Sequence, residues 1–395
     1  MDKRREQIAA YADERAAEYQ KIALDIHARP EVSNYEFFAS ETLSALLCAE
    51  GFDVEMPAAG HRTGFAARYG SAKAGPTLAF LAEYDALEGL GHGCGHNLFG
   101  VTSVLAAASL KRVIDDAGGE IRVYGTPGEE GGENGSAKGS FVREGYFADV
   151  DAALCVHPGD RNLATDKLIA CIPVDIEFWG KSSHAAAAPE QGINALDGLL
   201  LTYTGINALR QHLTDDVRIH GIITSGGKAP NVVPDYAAAK FYLRAATSAR
   251  LREVYAKIEK IVEGAALQTG AKGRMQPYQN WIDNQVPTPL FDAVYEKNLR
   301  RFGEDFSPPR GTSLGASDVG NVSQIVPTIQ PHIRISDRPI AGHSPDFVEA
   351  SKSALGLASI PLGAKALAFT ALDLIEDPAL FEEIKAQHRQ NVNNQ

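Results

Sequence analysis

The chain has 395 residues, of which 44% are hydrophobic and 22% are charged, a composition typical of a folded globular protein and a length that favours two domains. Its 38 basic and 50 acidic residues give a net charge of -12, which disfavours nucleic acid or an anionic membrane surface as a partner. A small anionic substrate is not excluded, because a binding site can be locally positive.

From the first twenty residues we expect no export signal. They are charged and helical in periodicity, and they contain neither the apolar stretch nor the cleavage motif of a signal peptide. No run of about 18 apolar residues occurs, so we expect no membrane span and no membrane partner. The four cysteines are sparse and lack paired spacing, which favours free thiols and a cytoplasmic location.

The first part of the chain predicts helices followed by alternating strands and helices. Periodic apolar residues predict two helices within residues 1–50, and later apolar runs predict strands that end in polar residues. This order is typical of an α/β fold with an open, mostly parallel sheet flanked by helices. The predicted elements after the first helix are a helix at 37–49, strands at 52–56, 64–70 and 77–87, a helix at 98–113, and strands at 121–130 and 151–158.

The pattern changes near residue 172, where apolar and polar residues alternate as in a half-exposed antiparallel strand. The order strand, helix, strand, strand, helix then predicts a smaller α+β sandwich inserted into the first domain. We therefore expect a catalytic, metal-binding domain formed by residues 1–171 and 284–395, and an inserted lid or dimerisation domain at 172–283. After the insertion we expect a helix at 289–302, a strand at 328–336, one long helix at 344–375 and a frayed tail from residue 388.

The sequence GLGHGCGHNLF, residues 89–99, carries the strongest chemical signal. His92, Cys94 and His96 occupy alternate positions between glycines. In an extended backbone, alternate side chains point the same way, and glycines allow the backbone to approach a small ligand closely. Imidazole and thiolate donors that meet at one point suit a Zn²⁺- or Mn²⁺-class ion.

Other metal-ligating residue types follow the predicted strands. Glu129 and Glu130 are adjacent after one strand, His157 ends the next, and His343 lies far along the chain. A carboxylate pair supplies one ligand and one base, because neighbouring side chains point in different directions. Asp85 is placed to orient a histidine from behind. Together these segments predict a metal site at the carboxyl edge of the sheet.

Residues 80–100, FLAEYDALEGLGHGCGHNLFG, resemble the metal-site segment of the cocatalytic metallohydrolase family of aminoacylases, carboxypeptidase G, hippurate hydrolases and indole-acetyl-amino-acid hydrolases. The similarity extends over residues 20–375 and is greatest to the aminoacylase-like and p-aminobenzoyl-glutamate-hydrolase-like branch. The resemblance implies two divalent ions, Zn²⁺ or Mn²⁺, with Cys94 as the bridging ligand. It implies the terminal ligands His96, Glu130, His157 and His343.

By the same resemblance, Glu129 is the general base, Asp85 orients a histidine, and His92 is not a ligand. Two positions depart from the branch that acts on hippuryl and indole-acetyl substrates. Asn97 and Glu83 stand where that branch usually has aspartate. These differences weaken any transfer of its substrate preference.

The segment GKSSHAAAAPEQGINA resembles the family's lid or dimerisation segment, which implies that His184 reaches a partner subunit's site and polarises the scissile carbonyl. Asn231 resembles the lid asparagine near a substrate carboxylate. Arg244 resembles an arginine on the next strand, which would bind that carboxylate or pair with a lid acid. In the segment 315–323, which resembles a substrate-side loop, Asp318 and Asn321 would orient the ligand or cap turns.

The resemblance implies a homodimeric or higher homo-oligomeric enzyme that hydrolyses the amide C–N bond of a small, carboxylate-bearing N-acyl or N-aroyl amino acid or of a dipeptide. One alternative is hydrolytic deamination of an electron-poor aminoaromatic such as a nitro-aminobenzoate. The other is a non-catalytic metal-binding protein on the same scaffold, which the intact Glu129 disfavours because a binder needs no base beside the metal.

Overall fold

The computed structural model of the protein describes residues 2–307 and 314–395. The helices are α1 (Lys3–His27), α2 (Phe37–Ala49), α3 (His96–Ala117), α4 (Ala137–Arg143), α5 (Ala195–Arg210), α6 (Ser248–Thr269), α7 (Pro289–Arg300), α8 (Val319–Ser323), α9 (Pro345–Ala350), α10 (Ala354–Glu376) and α11 (Pro378–Asn393), with a 3₁₀ helix at Pro189–Gln191. The strands are β1 (Asp53–Glu55), β2 (Phe65–Gly70), β3 (Thr77–Ala82), β4 (Glu120–Gly125), β5 (Ala152–Leu154), β6 (His157–Gly159), β7 (Ala170–Trp179), β8 (Arg218–Ser225), β9 (Tyr236–Ala245), β10 (Lys272–Pro277), β11 (Thr328–Ile329) and β12 (His332–Arg334).

The chain divides into two compact units. The first contains residues 1–168 and 285–395, and the second contains residues 169–284. The insertion predicted over residues 172–283 falls within the second unit.

The first unit is built on a six-stranded sheet in the order β1-β2-β4-β3-β5-β11. Strands β4, β3, β5 and β11 are parallel, whereas β1 and β2 are antiparallel to their neighbours. The helix α3 packs against β3, α1 and α10, and residues such as Phe80 and Val123 are fully buried. The predicted α/β class with a mostly parallel, helix-flanked sheet is confirmed. Because parallel strands end at one edge, the loops after β3 and β4 meet there.

Two helices, α3 and α10, are long and apolar enough to cross a bilayer by length and composition alone. In their most apolar stretches, 89% of α3 and 67% of α10 is buried inside the protein, and the two helices pack against each other. Core helices of folded domains have these properties too. The absence of a membrane partner stays a prediction.

The second unit is an antiparallel sheet in the order β10-β7-β9-β8. The helices α5 and α6 pack against β7 and β9 and against each other. The predicted order of strand, helix, strand, strand and helix is confirmed. The sequence did not predict β10, whose residues KGRMQP lack the apolar alternation of a typical strand. Strand β8 lies at the edge of this sheet.

The predicted single helix over residues 344–375 is wrong, because the chain forms α9 and α10 with a break between them. Ser353 begins α10 as its N-cap, where its Oγ accepts a hydrogen bond from the backbone N–H of Gly356 at 3.0 Å. The predicted frayed tail is also wrong at its start. Residues up to Asn393 continue α11, where the buried His388 lies 2.7 Å from the carbonyl oxygen of Ser323.

The predicted strands at 151–158 and 328–336 are each divided in two. Strand β11 pairs with β5, and β12 pairs with β6 in a separate two-stranded sheet. Pro331 interrupts the second strand because proline has no N–H to donate to the ladder. Its carbonyl oxygen still accepts a hydrogen bond from the N–H of His157 at 2.8 Å, so the division keeps His157 beside the sheet edge.

The stability of the first unit is expected to fall in acid partly because of His61. Its ring is 1% exposed, with Nδ1 2.8 Å from Oδ1 of Asn34, and burial lowers the pKa of His61 to about 4. The unfolded chain, with a histidine pKa near 6.5, binds the proton first, so this contribution is lost as pH falls from about 6.5 to 4. Between pH 7 and 4.5, urea unfolding should show the wild type losing about 2–3 kcal/mol more than His61→Gln. Equal losses would contradict this role.

Candidate metal centre

The loop between β3 and α3 brings Cys94 and His96 to the sheet edge. Gly95 precedes α3 with a φ of 79°, in the left-handed region. A Cβ on Gly95 would lie 2.9 Å from the side chain of Pro158 and 3.2 Å from Phe347. Only glycine fits this position without displacing its neighbours. The close approach places the start of α3 against β6, which carries His157.

Three overlapping groups of ligand atoms occur among the described residues, and within each group all ligand atoms lie within 4.8 Å of one another. The groups are Cys94, His96 and His157; Cys94, Glu130 and His343; and Glu83, His96 and Glu129. The Sγ of Cys94 lies 3.4 Å from Nε2 of His157, and Oε2 of Glu130 lies 3.3 Å from Nε2 of His343. The structure therefore brings all five predicted ligands together, with Cys94 shared by two groups as a bridging ligand would be.

Asp85 connects the two loops that carry these groups. One carboxylate oxygen lies 2.9 Å from Nδ1 of His96, and the other accepts a hydrogen bond from the backbone N–H of Glu130 at 2.9 Å. Because Asp85 contacts Nδ1 of His96, the other ring nitrogen, Nε2, remains available to bind an ion. This is the geometry expected of a residue that orients a ligating histidine.

The residues fit a divalent cation. Nε2 of His96 and Oε1 of Glu130 are buried and have no hydrogen-bond partner in the part of the chain that the structure describes. Leaving such atoms unsatisfied costs about 1–3 kcal/mol each, and a cation would satisfy both. The donors are thiol, imidazole and carboxylate, a set that Zn²⁺ and Mn²⁺ accept.

Two candidate ligands hold protons that a bound ion would displace. Burial and the charge of Glu130 hold the pKa of the Cys94 thiol well above its usual range. Burial alone would lower the pKa of His96, but Cys94 and Asp85 hold that pKa well above its usual range.

Other groups at the centre already have the protonation state that the proposed chemistry requires. Burial lowers the pKa of His157 to about 4, so its imidazole is neutral, as a ligand must be. Burial alone would raise the pKa of Glu130, but the hydrogen bond to His343 and the charge on His96 lower that pKa to about 2. Burial and the negative charges of Glu83 and Glu130 hold the pKa of Glu129 well above its usual range. Glu129 therefore has a high proton affinity beside the ligands.

Asp318 immediately precedes α8 as its N-cap, and Asn321 lies within α8. Asp318 is fully buried, and its two oxygens accept hydrogen bonds from the Nζ and the backbone N–H of Lys138 at 2.6 and 3.0 Å. Asn321 is 7% exposed. Contact of either residue with a substrate stays a prediction, and the observed partner of Asp318 is Lys138.

In the second unit, His184 and Asn231 are neighbours. The exposed His184 accepts hydrogen bonds at Nδ1 from the backbone N–H groups of Ala186 and Ala187, at 3.2 and 3.1 Å, which assigns the ring proton to Nε2. The N–H of Ala185 donates to the carbonyl oxygen of Asn231 at 3.0 Å. An exposed Nε2–H is a hydrogen-bond donor of the kind predicted for His184.

Arg244 lies on β9, and its guanidinium carbon is 5.6 Å from the ring centroid of Tyr242. Its contact with a substrate carboxylate stays a prediction.

Sequence reasoning missed two polar side chains near the candidate ligands. Lys138 is fully buried, with Nζ 2.7 Å from Oε1 of Glu83, yet a lysine in a stretch of glycine and serine gives no signal of burial. His332 lies beside His157 on the neighbouring strand, with ring centroids 5.4 Å apart, and its Nε2 is 3.1 Å from Oδ2 of Asp166. Only the pairing of β12 with β6 shows that His332 lies here.

Comparisons with known proteins show the family of the chain. Residues 172–270 match the model of the peptidase dimerisation domain. The chain is 34% identical to the Xaa-Arg dipeptidase of Mus musculus over 95% of this chain and 90% of that protein. It is 30% identical to one of the subunits of the p-aminobenzoyl-glutamate hydrolase of Escherichia coli (strain K12), over 95% of this chain and 93% of that protein.

Solved structures share the fold. The aminobenzoyl-glutamate utilization protein of Klebsiella pneumoniae superposes with a TM-score of 0.76 at 20% identity, covering 93% of this chain and 98% of its own. A dinuclear metal-binding peptidase of the M20 family from Bacillus subtilis gives a TM-score of 0.63 at 18% identity, covering 91% and 98%.

The chain belongs to the M20 family of metal-dependent peptidases and amidohydrolases. The family resemblance inferred from residues 80–100 is thereby confirmed, and the protein is a hydrolase. Within the family it is similar to a dipeptidase and to a p-aminobenzoyl-glutamate hydrolase.

Proposed function

We propose that the protein hydrolyses the amide C–N bond of a dipeptide or of a small N-acyl or N-aroyl amino acid, with water activated at a centre of two divalent ions. The observation that carries this proposal is the adjacent pair Glu129 and Glu130. Glu130 belongs to one ligand group with Cys94, and Glu129 belongs to another with His96. Glu129 is thus close enough to the ligand atoms to accept a proton from a water molecule bound there. The names of the two curated relatives support the substrate class.

The residues that would hold the ions are Cys94, His96, Glu130, His157 and His343. When bound, such ions lower the pKa of water and polarise a carbonyl oxygen. Glu129 accepts a proton from the water as the water oxygen forms a bond to the carbonyl carbon. Glu129 then donates that proton to the amide nitrogen as the C–N bond breaks. The products are a carboxylate and an amine.

Two further groups have proposed roles in this reaction. His184, reaching the site of a partner subunit, donates a hydrogen bond through Nε2–H to the carbonyl oxygen as negative charge develops, an effect worth about 3–4 kcal/mol at comparable donors. Arg244 and Asn231 bind the substrate's carboxylate, since a guanidinium can hold a carboxylate through two parallel hydrogen bonds.

The reaction type is tested with one substrate panel. The purified protein, supplied with Zn²⁺ or Mn²⁺, is assayed for amine release from N-acetyl amino acids, N-aroyl amino acids and dipeptides, including Xaa-Arg dipeptides. The same samples are assayed for ammonia release from aminobenzoates. We expect amine release from at least one amide class. Ammonia release alone would favour the deaminase alternative, and no turnover of any compound would favour the binding protein.

We further propose that the protein is a homodimer joined through the edge strand β8. Ile222 and Ile223 on this strand are 65% and 44% exposed, and an apolar sheet edge favours pairing with a second strand. The match of residues 172–270 to a dimerisation domain supports this assembly.

Ile222→Lys should convert the dimer to a monomer in sedimentation velocity, because it places a charge in the apolar contact. The matched control is Leu267→Lys on α6 of the same unit, where the leucine is 85% exposed. The control should stay dimeric. A dimeric Ile222→Lys variant would show that β8 does not form the interface.

The choice of ion and the cellular location are also proposals. The thiol of Cys94 and three imidazoles favour Zn²⁺, whereas the carboxylates also suit Mn²⁺. All four cysteines lie within residues 2–307 and are free, which supports the reducing cytoplasm. Elemental analysis of the purified protein identifies the bound ion.

A further inference from the structure

Three fully buried charged residues form a chain of ion pairs beside the metal centre. The Nζ of Lys138 lies 2.7 Å from Oε1 of Glu83 and 2.6 Å from Oδ1 of Asp318, and all three side chains have no exposed surface. Removing an ammonium from water costs several kcal/mol even when it is paired. A buried ion-pair chain of this kind stabilises the fold little more than apolar side chains of the same size would. We therefore ask what it does for the metal centre that it contacts.

The ion-pair chain ends at a ligand atom. The second oxygen of Glu83, Oε2, lies 3.1 Å from Nε2 of His96, the nitrogen that Asp85 leaves available. Two ligand atoms bound to one ion at about 2.0–2.2 Å each lie about 3–3.5 Å apart. The distance between Oε2 and Nε2 therefore fits two donors that share one ion. Although they lie 3.1 Å apart, neither Nε2 of His96 nor Oε2 of Glu83 makes a hydrogen bond of acceptable geometry among residues 2–307 and 314–395.

We propose that Glu83 is a further ligand of the ion held by His96, and that Lys138 and Asp318 fix which of its oxygens faces that ion. This inference rests on the proposed metal-dependent function. Lys138 occupies Oε1, so Glu83 binds through Oε2 alone. Glu129, from the same group of ligand atoms, remains available as a base. In this arrangement Asp318 is a positioning residue that acts through Lys138.

The ion-pair chain also accounts for the charge balance on this side of the centre. Glu83, Glu129 and Asp318 are three carboxyl groups close together, and Lys138 is the cation that contacts two of them. Without Lys138, Glu83 would be free to turn and bind through either oxygen. We therefore expect Lys138→Met to weaken the binding of one ion, the same ion whose binding a substitution of Glu83 weakens.

The test is a Co²⁺ titration of the full-length protein after removal of its metal, followed by visible absorption and calorimetry. Glu83→Gln should raise the dissociation constant of one of two Co²⁺ ions by more than about 100-fold, beyond the 10–100-fold typical of residues that only contact a ligand. It should also change the Co²⁺ absorption spectrum, because a ligand atom is replaced.

The matched control is Glu36→Gln. Glu36 is equally buried, but its oxygens accept hydrogen bonds from Thr63 Oγ1 at 2.7 Å and from the N–H of Gly128 at 3.0 Å. It belongs to none of the ligand groups found in the described chain. Both Co²⁺ affinities and the spectrum should remain those of the wild type.

The inference requires both effects of Glu83→Gln, so a smaller loss of affinity or an unchanged spectrum overturns it and leaves Glu83 as a positioning residue. If Glu83→Gln does not fold, Glu83→Asp carries the same test. This variant keeps the negative charge beside Lys138, but its side chain is one methylene shorter, so the carboxylate oxygen lies farther from the ion. Co²⁺ affinities equal to those of the wild type would overturn the inference. A wild-type protein that binds no Co²⁺ at all would instead overturn the proposed function.

Discussion

Glu129→Gln is expected to lower kcat by about 10²–10⁴-fold, the contribution typical of a general base, while the protein keeps its full complement of ions. The amide has nearly the same shape as the carboxyl group but cannot accept the proton of the attacking water. Glu129 shares its group of ligand atoms with Glu83 and His96, but it is not among the six residues proposed as ligands. Metal binding should therefore survive the substitution.

Steady-state kinetics and elemental analysis of the same preparation separate these two effects. Glu133→Gln is the matched control, because Glu133 is an exposed residue of the same loop and should retain wild-type kcat and metal content. A Glu129→Gln variant with near wild-type kcat would remove Glu129 from the reaction. A variant that loses metal together with activity would make Glu129 a ligand instead of a base.

Cys94→Ala is expected to abolish binding of both ions and to lower kcat/KM by about 10³-fold or more. The sulfur is the one donor common to the Cys94–His96–His157 and Cys94–Glu130–His343 groups. Its loss therefore removes a ligand from each ion. Metal ions supply several kcal/mol of transition-state stabilisation, and each 1.4 kcal/mol corresponds to a tenfold change in rate.

Metal content per chain and kcat/KM, measured before and after addition of Zn²⁺ or Mn²⁺, test this expectation. Cys155→Ala removes another buried thiol, one whose Sγ lies 3.5 Å from the carbonyl oxygen of Ile329, and should keep its ions. Wild-type protein treated with a chelator should lose activity and regain it with added metal. Two ions in Cys94→Ala would contradict the bridging role.

The meeting of three proposed ligands was predictable from the sequence because of one property of parallel sheets. Strands β3, β4 and β5 run in the same direction, so the polar residues that follow them collect at one edge. Cys94, Glu130 and His157 each follow one of these strands. The strand order and the direction of the chain are enough to bring these three residues together.

The alternation of His92, Cys94 and His96 did not predict where His92 lies. Gly91 and Gly95 have φ values of 89° and 79°, so the backbone is not extended and alternate side chains need not point the same way. His92 is buried with its ring centroid 5.8 Å from that of His27. The family resemblance, which excludes His92 as a ligand, was the better guide here.

The ion-pair chain of Glu83, Lys138 and Asp318 was beyond sequence reasoning. Lys138 and Asp318 are 180 positions apart, and neither carries a local pattern that indicates burial. Glu83 was noted only as a departure from aspartate. The proposed role of Glu83 as a metal ligand depends on which of its oxygens faces His96. Tertiary packing determines that orientation, and the spacing of residues in the sequence does not predict it.

The central claim is that segments distant in the chain meet around two divalent ions, and anomalous diffraction from crystals grown with Zn²⁺ or Mn²⁺ tests it most directly. We predict two ion peaks, with the sulfur of Cys94 bonded to both and an imidazole nitrogen of His343 bonded to one. For Zn²⁺, the bond lengths should be about 2.3 Å to sulfur and about 2.0–2.1 Å to nitrogen. An occupied crystal in which Cys94 or His343 contacts neither ion would contradict the account.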